Sequence, residues 1–111
     1  MNAEKRAHVR AKVSVQIELT PEGTQTPLRT ETADLSVSGC YIEMLFTLPV
    51  GIEVKVDLQA GGSMIRTAGK VVTRDHNVGN GIEFTNMTVE DRETLSQFIE
   101  NISTQQKEER D

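Results

Sequence analysis

Tryptophan is absent from this chain, and cysteine and tyrosine occur once each, at Cys40 and Tyr41. A single cysteine excludes an internal disulfide framework and fits a reducing compartment. No apolar run reaches the length that a bilayer span requires. Residues 1–12 are charged and lack the apolar stretch of a secretory signal. The expectation is a cytoplasmic protein with no membrane insertion. With three phenylalanines and a net charge of −5, the chain also lacks the aromatic platforms and the excess of cations that polynucleotides demand, so no DNA or RNA partner is expected. There is no phosphate-cradling glycine loop and no serine–histidine–acid order. His8, His76 and Cys40 do not stand at metal-ligand spacing. These absences argue against an enzyme and against a metal or other cofactor.

What is present fits one domain: 111 residues are enough to bury one core and too few for two. Val13, Val15, Ile17 and Leu19 alternate with polar residues, which is the period of a strand with one buried face. Thr20–Gly23 is turn chemistry. A threonine-rich extended run covers 28–35 and a third strand covers 39–46. A cleanly alternating fourth runs from Ile52 to Leu58, a fifth spans 64–74 after the Gly61-Gly62 turn, and a short last strand covers 81–84. The period then changes. Thr88 followed by Asp91 resembles a helix-capping pair, and Leu95, Phe98, Ile99 and Ile102 form one apolar stripe, which predicts a helix over 89–103. Short strands joined by turns and closed by one helix read as an all-β barrel or sandwich. The expected organisation is a flexible basic arm at 1–12, a barrel with its helix at 13–103, and a disordered tail at 104–111. Cys40 is expected as a small core residue. Met44, Met64 and Met87 are expected as core or rim packing.

Two short constellations carry chemistry. Arg6-Ala7-His8-Val9-Arg10 sets two guanidiniums four positions apart, with Lys5 beside them. Asp34-Leu35-Ser36-Val37-Ser38-Gly39 places an acid, a hydroxyl and a glycine in a turn between strands. Together they resemble the PilZ domain family, whose signature is RxxxR followed at some distance by [DN]xSxxG. Gly39-Cys40-Tyr41-Ile42, Gly69-Lys70-Val71-Val72 and Gly79-Asn80-Gly81-Ile82-Glu83-Phe84 extend the likeness over about Arg6 to Ile102.

The resemblance implies a six-stranded antiparallel β-barrel with a C-terminal α-helix and a flexible N-terminal arm that closes over cyclic di-GMP. Arginine forks match phosphate oxygens and the O6/N7 edge of guanine in paired hydrogen bonds, a geometry lysine cannot reproduce. Arg6 and Arg10 are therefore expected on phosphate and guanine, with Lys5 adding charge. A carboxylate only accepts hydrogen bonds, and guanine N1–H and N2–H₂ are adjacent donors that adenine lacks. Asp34 is expected to select guanine on that ground. Ser36 offers a hydroxyl to a base or to its own turn. Gly39 serves either close backbone approach or a positive φ. Arg74 is the candidate to stack on a guanine, against the alternative of a solvated strand-end charge. Lys5, where relatives often carry arginine, leans towards one ligand molecule per domain. The function implied is a bacterial cyclic di-GMP receptor coupled to an unidentified downstream protein, in motility, pilus or polysaccharide control. A PilZ-like protein-interaction module that binds no nucleotide is the alternative. A homodimer through the helix or a sheet edge is left open.

Overall fold

Alternation dictates where each strand buries its face, and the computed structural model, which describes residues 10–110, places those faces around one core. The chain is mostly β, a curled antiparallel sheet closed by one C-terminal helix. The strands are β1 Gln16–Pro21, β2 Leu28–Glu31, β3 Asp34–Ser36, β4 Gly39–Glu43, β5 Glu53–Ala60, β6 Ser63–Asp75 and β7 Gly79–Phe84, followed by helix α1, Val89–Arg110. Their order across the sheet is β2-β1-β5-β6-β7-β4-β3. Val54, Val56, Leu58 and Ala60 of β5 are buried while the residues between them face outward, as the alternation predicts. Leu19, Leu35, Ile42, Val71 and Leu95 complete the interior with no exposed surface.

The expected six strands become seven because the run at 28–35 divides. β2 pairs with β1 and β3 pairs with β4, so the two outer strands of the sheet are consecutive in sequence. The backbone N–H of Thr32 donates to the Val15 carbonyl at 3.0 Å, and that of the next residue, Ala33, donates to the Tyr41 carbonyl at 2.8 Å. Neighbouring residues are thus bonded to opposite edges, and this junction holds the curl shut. The buried Thr32 hydroxyl replaces ladder bonds there: it accepts from the Val15 N–H at 3.0 Å and donates to the Val13 carbonyl at 2.6 Å. That substitution also explains why β1 begins at Gln16 although Val13 and Val15 already point inward.

The outer row Arg29, Glu18, Asp57 and Arg66 crosses four adjacent strands in register. It forms ion pairs at 2.9 Å (Arg29–Glu18) and 3.9 Å (Arg66–Asp57). Each is exposed and worth less than about 1 kcal/mol. Glu18 and Asp57 stand directly opposite each other on β1 and β5, and the two flanking arginines offset that like-charge contact.

Three expectations need correction. The flexible arm expected over 1–12 lies outside the described residues up to position 9, and near its end Ala11 is buried and exchanges two 2.9 Å backbone hydrogen bonds with Leu35. Alternation turns Ala11 inward, and one small residue between charges gives no apolar pattern to notice. The helix is capped as predicted, with the Asp91 N–H donating to Thr88 Oγ at 3.1 Å, and its stripe buries Leu95 and Ile99. It continues to Arg110, however, so the segment from 104 is helical where a disordered tail was expected. Gln, Lys, Glu and Arg have high intrinsic helix propensity and extend a helix that is already nucleated. Finally, Met64 is half exposed rather than packed, whereas Met44 and Met87 lie against the core.

Candidate functional site

The two-residue turn of Val37 and Ser38 fixes everything that follows at β3 and β4. It sets Ser36 opposite Gly39, Leu35 opposite Cys40, and Asp34 opposite Tyr41. Leu35 and Cys40 point into the core; Asp34 and Tyr41 point out. The bridge from Ala11 to Leu35 then brings the end of the first motif alongside the start of the second. Arg10 Nη1 donates to Asp34 Oδ1 at 2.5 Å, with the arginine mostly exposed and the carboxylate a quarter exposed. Residues 24 positions apart in sequence are joined on one face by one ion pair.

The other expected site residues divide. Lys5 and Arg6 lie outside the described residues. Ser36 is buried, and its Oγ accepts the Ser38 N–H at 3.1 Å and stands 3.0 Å from Ser38 Oγ, so it secures the motif turn. Gly39 has no positive φ. Its hydrogen faces β7, where a Cβ would overlap the carbonyl oxygen of Ile82, so the glycine here serves strand packing. Arg74 does not join Asp34. It lies opposite Asn80, whose partner on β4 is Ile42, and this row turns to the opposite side of the sheet from Tyr41. Its Nε donates to Thr47 Oγ1 at 2.9 Å and its Nη2 to the Thr47 carbonyl at 3.1 Å. A guanidinium held this way tethers the loop after β4 through its edge.

Cys40 is buried beneath the Arg10–Asp34 pair, as expected of a core residue. Burial pushes its thiol up to about 12, the Asp34 charge adds to the rise, and Arg10 opposes it. A thiol so far from ionisation is not a nucleophile near neutral pH.

Tyr41, Asp75, Gly79 and Gly81 also belong to the face that Asp34 occupies, and the motif pair did not reveal them. Tyr41 lies opposite Gly81, and Thr73 and Asp75 face Gly81 and Gly79. The Tyr41 hydroxyl donates to Asp75 Oδ2 at 2.7 Å, and the ring lies over Gly79, where a Cβ would fall 2.7 Å from its Cε2. The result is a shallow surface floored by glycine and edged by two carboxylates and one aromatic ring. The turn length alone specifies the Asp34–Tyr41 pairing; the contact with Asp75 requires the order of β4, β7 and β6. A separate groove of about 950 Å³ lies over β1, β2 and β5, lined by Gln16, Glu18, Arg29 and Asp57 among others, and includes neither Arg10 nor Asp34.

The hydrogen bond to Asp75 pushes the Tyr41 phenol up to about 12 from 10.0. A folded-state pKa above the unfolded one means that this contact stabilises fully below about pH 10 and fades as pH rises through 12. Because the chain has one tyrosine and no tryptophan, absorbance at the phenolate band reads this group alone. The titration should be centred near 12, and Asp75→Asn should lower it towards 10. A wild-type midpoint near 10 would remove the hydrogen bond from the site.

Comparison with known proteins supplies the context. The family model of the PilZ domain matches residues 4–101. No curated protein matches this chain in sequence. Among solved structures, the chain resembles the Bacillus subtilis inhibitor of motility (MotI/DgrA) with a TM-score of 0.74 and 16% identity, over 88% of this chain and 51% of that one. The chain thus spans about half the length of that protein. It resembles the PilZ domain of YcgR from Escherichia coli, solved with cyclic di-GMP, with a TM-score of 0.72 and 14% identity over 95% and 96% of the two chains. The PilZ domain of CeSA from a cellulose-synthesizing bacterium is similar with a TM-score of 0.67 and 13% identity, over 86% and 98%. At such identities the likeness concerns the fold.

Proposed function

The chain belongs to the PilZ domain family, and on that footing we propose that it is a cytoplasmic receptor for cyclic di-GMP that passes its occupancy to a downstream protein and catalyses no reaction. The observation that carries the proposal is the meeting of the two motifs: Arg10 closes RxxxR, Asp34 opens DxSxxG, and their side chains touch. The similar domain of YcgR was solved with cyclic di-GMP.

The ion pair holds each partner close to its role. Guanine N1–H and N2–H₂ would take over the Asp34 carboxylate, and the released Arg10 guanidinium would turn to a phosphate or to guanine O6/N7. The exposed pair is worth less than about 1 kcal/mol, so the exchange costs little. Arg6 would supply the second fork from the N-terminal arm, with Lys5 adding charge nearby. Ser36 and Gly39 act one step back, by keeping the turn and the strand that present Asp34. Tyr41 and the glycine floor of β7 offer the flat surface over which a base ring can lie. Each bidentate base contact contributes about 1–3 kcal/mol, and a micromolar dissociation constant needs about 8 kcal/mol in all. Two forks, one carboxylate and ring contact reach that range.

Calorimetric titration with cyclic di-GMP tests the proposal, with cyclic di-AMP as the control. Saturable binding of the guanine compound is expected, with the adenine compound at least about tenfold weaker, since loss of a bidentate base contact corresponds to about 1–3 kcal/mol. No heat with either would leave the chain a PilZ domain that acts through protein contacts alone. Equal affinity for both would refute the role given to Asp34.

A further inference from the structure

Of the eight exposed large hydrophobic side chains among the described residues, five belong to one end of the sheet. Phe46 is 84% exposed, Leu45 64%, Val50 59%, Val78 57% and Val72 45%. They belong to the loop between β4 and β5 and to the β6–β7 end beside it. Hydrogen bonds draw these segments together: the Met44 N–H donates to the Val78 carbonyl at 2.9 Å, and the Gly51 N–H to the Val71 carbonyl at 2.8 Å. Exposed apolar residues scattered singly need no explanation, but a contiguous group marks a surface that is covered by something.

The loop is not loosely held. Asn80, with no exposed surface, accepts the Leu48 N–H at 2.7 Å and donates to the Leu48 carbonyl at 2.9 Å and the Thr73 carbonyl at 3.1 Å. Arg74 binds Thr47 twice, and Met44, Leu48 and Ile52 pack on the core. Interior polar groups are thus used to fix Leu45 and Phe46 in an outward position. A surface fixed before binding loses less conformational entropy when a partner orders it.

The border of the patch identifies the partner's chemistry. Glu43 precedes Met44, and Asp75 stands at the start of the hairpin that carries Val78; among the described residues neither takes part in an ion pair. Arg74, the adjacent cation, keeps its charge while it donates to Thr47, so the border carries two carboxylates against one guanidinium, and Lys70 faces Glu53 and Glu83 in register. An apolar tip whose border carries more carboxylates than cations, on a chain of net charge −5, is disfavoured at an anionic membrane surface. It complements a protein segment whose apolar stripe is flanked by lysine or arginine. We infer that the tip formed by Leu45, Phe46, Val50 and Val78 is a docking surface for a basic amphipathic segment of a partner protein. The inference holds whether or not the chain binds a nucleotide.

The test uses the full chain, isotopically labelled and without nucleotide, and three probes. These are a synthetic helical peptide with a leucine stripe flanked by lysines, the same stripe flanked by glutamates, and vesicles of phosphatidylcholine with phosphatidylglycerol. The lysine peptide is expected to move the amide signals of residues 44–51 and 75–79 saturably. Phe46→Ser, a change at an exposed position, should weaken it at least tenfold, and added salt should weaken it further. The glutamate peptide should bind at least tenfold less tightly. Absence of tip shifts with the lysine peptide, equal affinity for both peptides, or wild-type affinity in Phe46→Ser would each overturn the inference. Preferential shifts with vesicles would reassign the tip to membranes, and tip shifts that grow with protein concentration alone would reassign it to a second copy.

Discussion

Replacing Arg6 and Arg10 together by alanine should weaken cyclic di-GMP binding at least about 100-fold while moving the urea midpoint little. Two bidentate contacts at about 1–3 kcal/mol each are removed, and a factor of 100 needs about 2.7 kcal/mol. The fold is spared because Arg10 projects outward from a backbone held by Ala11, and its ion pair with Asp34 is exposed. Lysine at both positions separates charge from shape. It keeps the cations but not the paired forks, so most of the loss should remain. Wild-type affinity in the double alanine variant would refute the role given to RxxxR in this chain. An unchanged affinity in the lysine variant would mean that the site reads charge alone.

The second large effect concerns stability. Gly39→Ala should cost about 3 kcal/mol, because its Cβ would overlap a backbone oxygen of β7, which cannot rotate aside. β4 would have to draw away from β7 at the end where Gly39 faces Glu83 and where the Phe84 N–H donates to the Ser38 carbonyl at 2.8 Å. For a domain of this size the loss corresponds to a fall in Tm of roughly 10–20 °C. Calorimetric unfolding measures it directly. Nucleotide affinity in whatever fraction stays folded should drop too, since Asp34 sits two residues before the turn that Gly39 ends. A variant of wild-type stability that had nevertheless lost binding would place Gly39 against the ligand and not against β7.

Gly39 shows where inference from motifs stops. The sequence offered ligand approach or a positive φ for this residue, and the strand neighbour that explains it lies more than forty positions away, at Ile82. Arg74 is the same case. Its alternation is readable, but which side of the sheet it faces depends on its register with Asn80 across an irregularity between Val71 and Thr73. Thr32 was one threonine among several in a run that favours strands. Its division of that run into β2 and β3 follows from Val13 and Val15 being positioned to share its hydroxyl. By contrast, β5 and the Thr88 cap were legible because each depends on residues a few positions apart.

Period-two and helical spacing, turn residues and two short motifs were enough, from the sequence alone, to establish a mostly β chain with a final helix, its inward-facing residues and its family. These are local properties: alternation records which side chains leave water, and the Val37-Ser38 turn records its own register. The order of the strands was decided only in three dimensions, because backbone hydrogen bonds between strands do not distinguish one side chain from another. That order joined the two outer strands at Thr32 and Ala33, set Arg10 on Asp34, laid Tyr41 across Gly79 to Asp75, and turned Arg74 to Thr47.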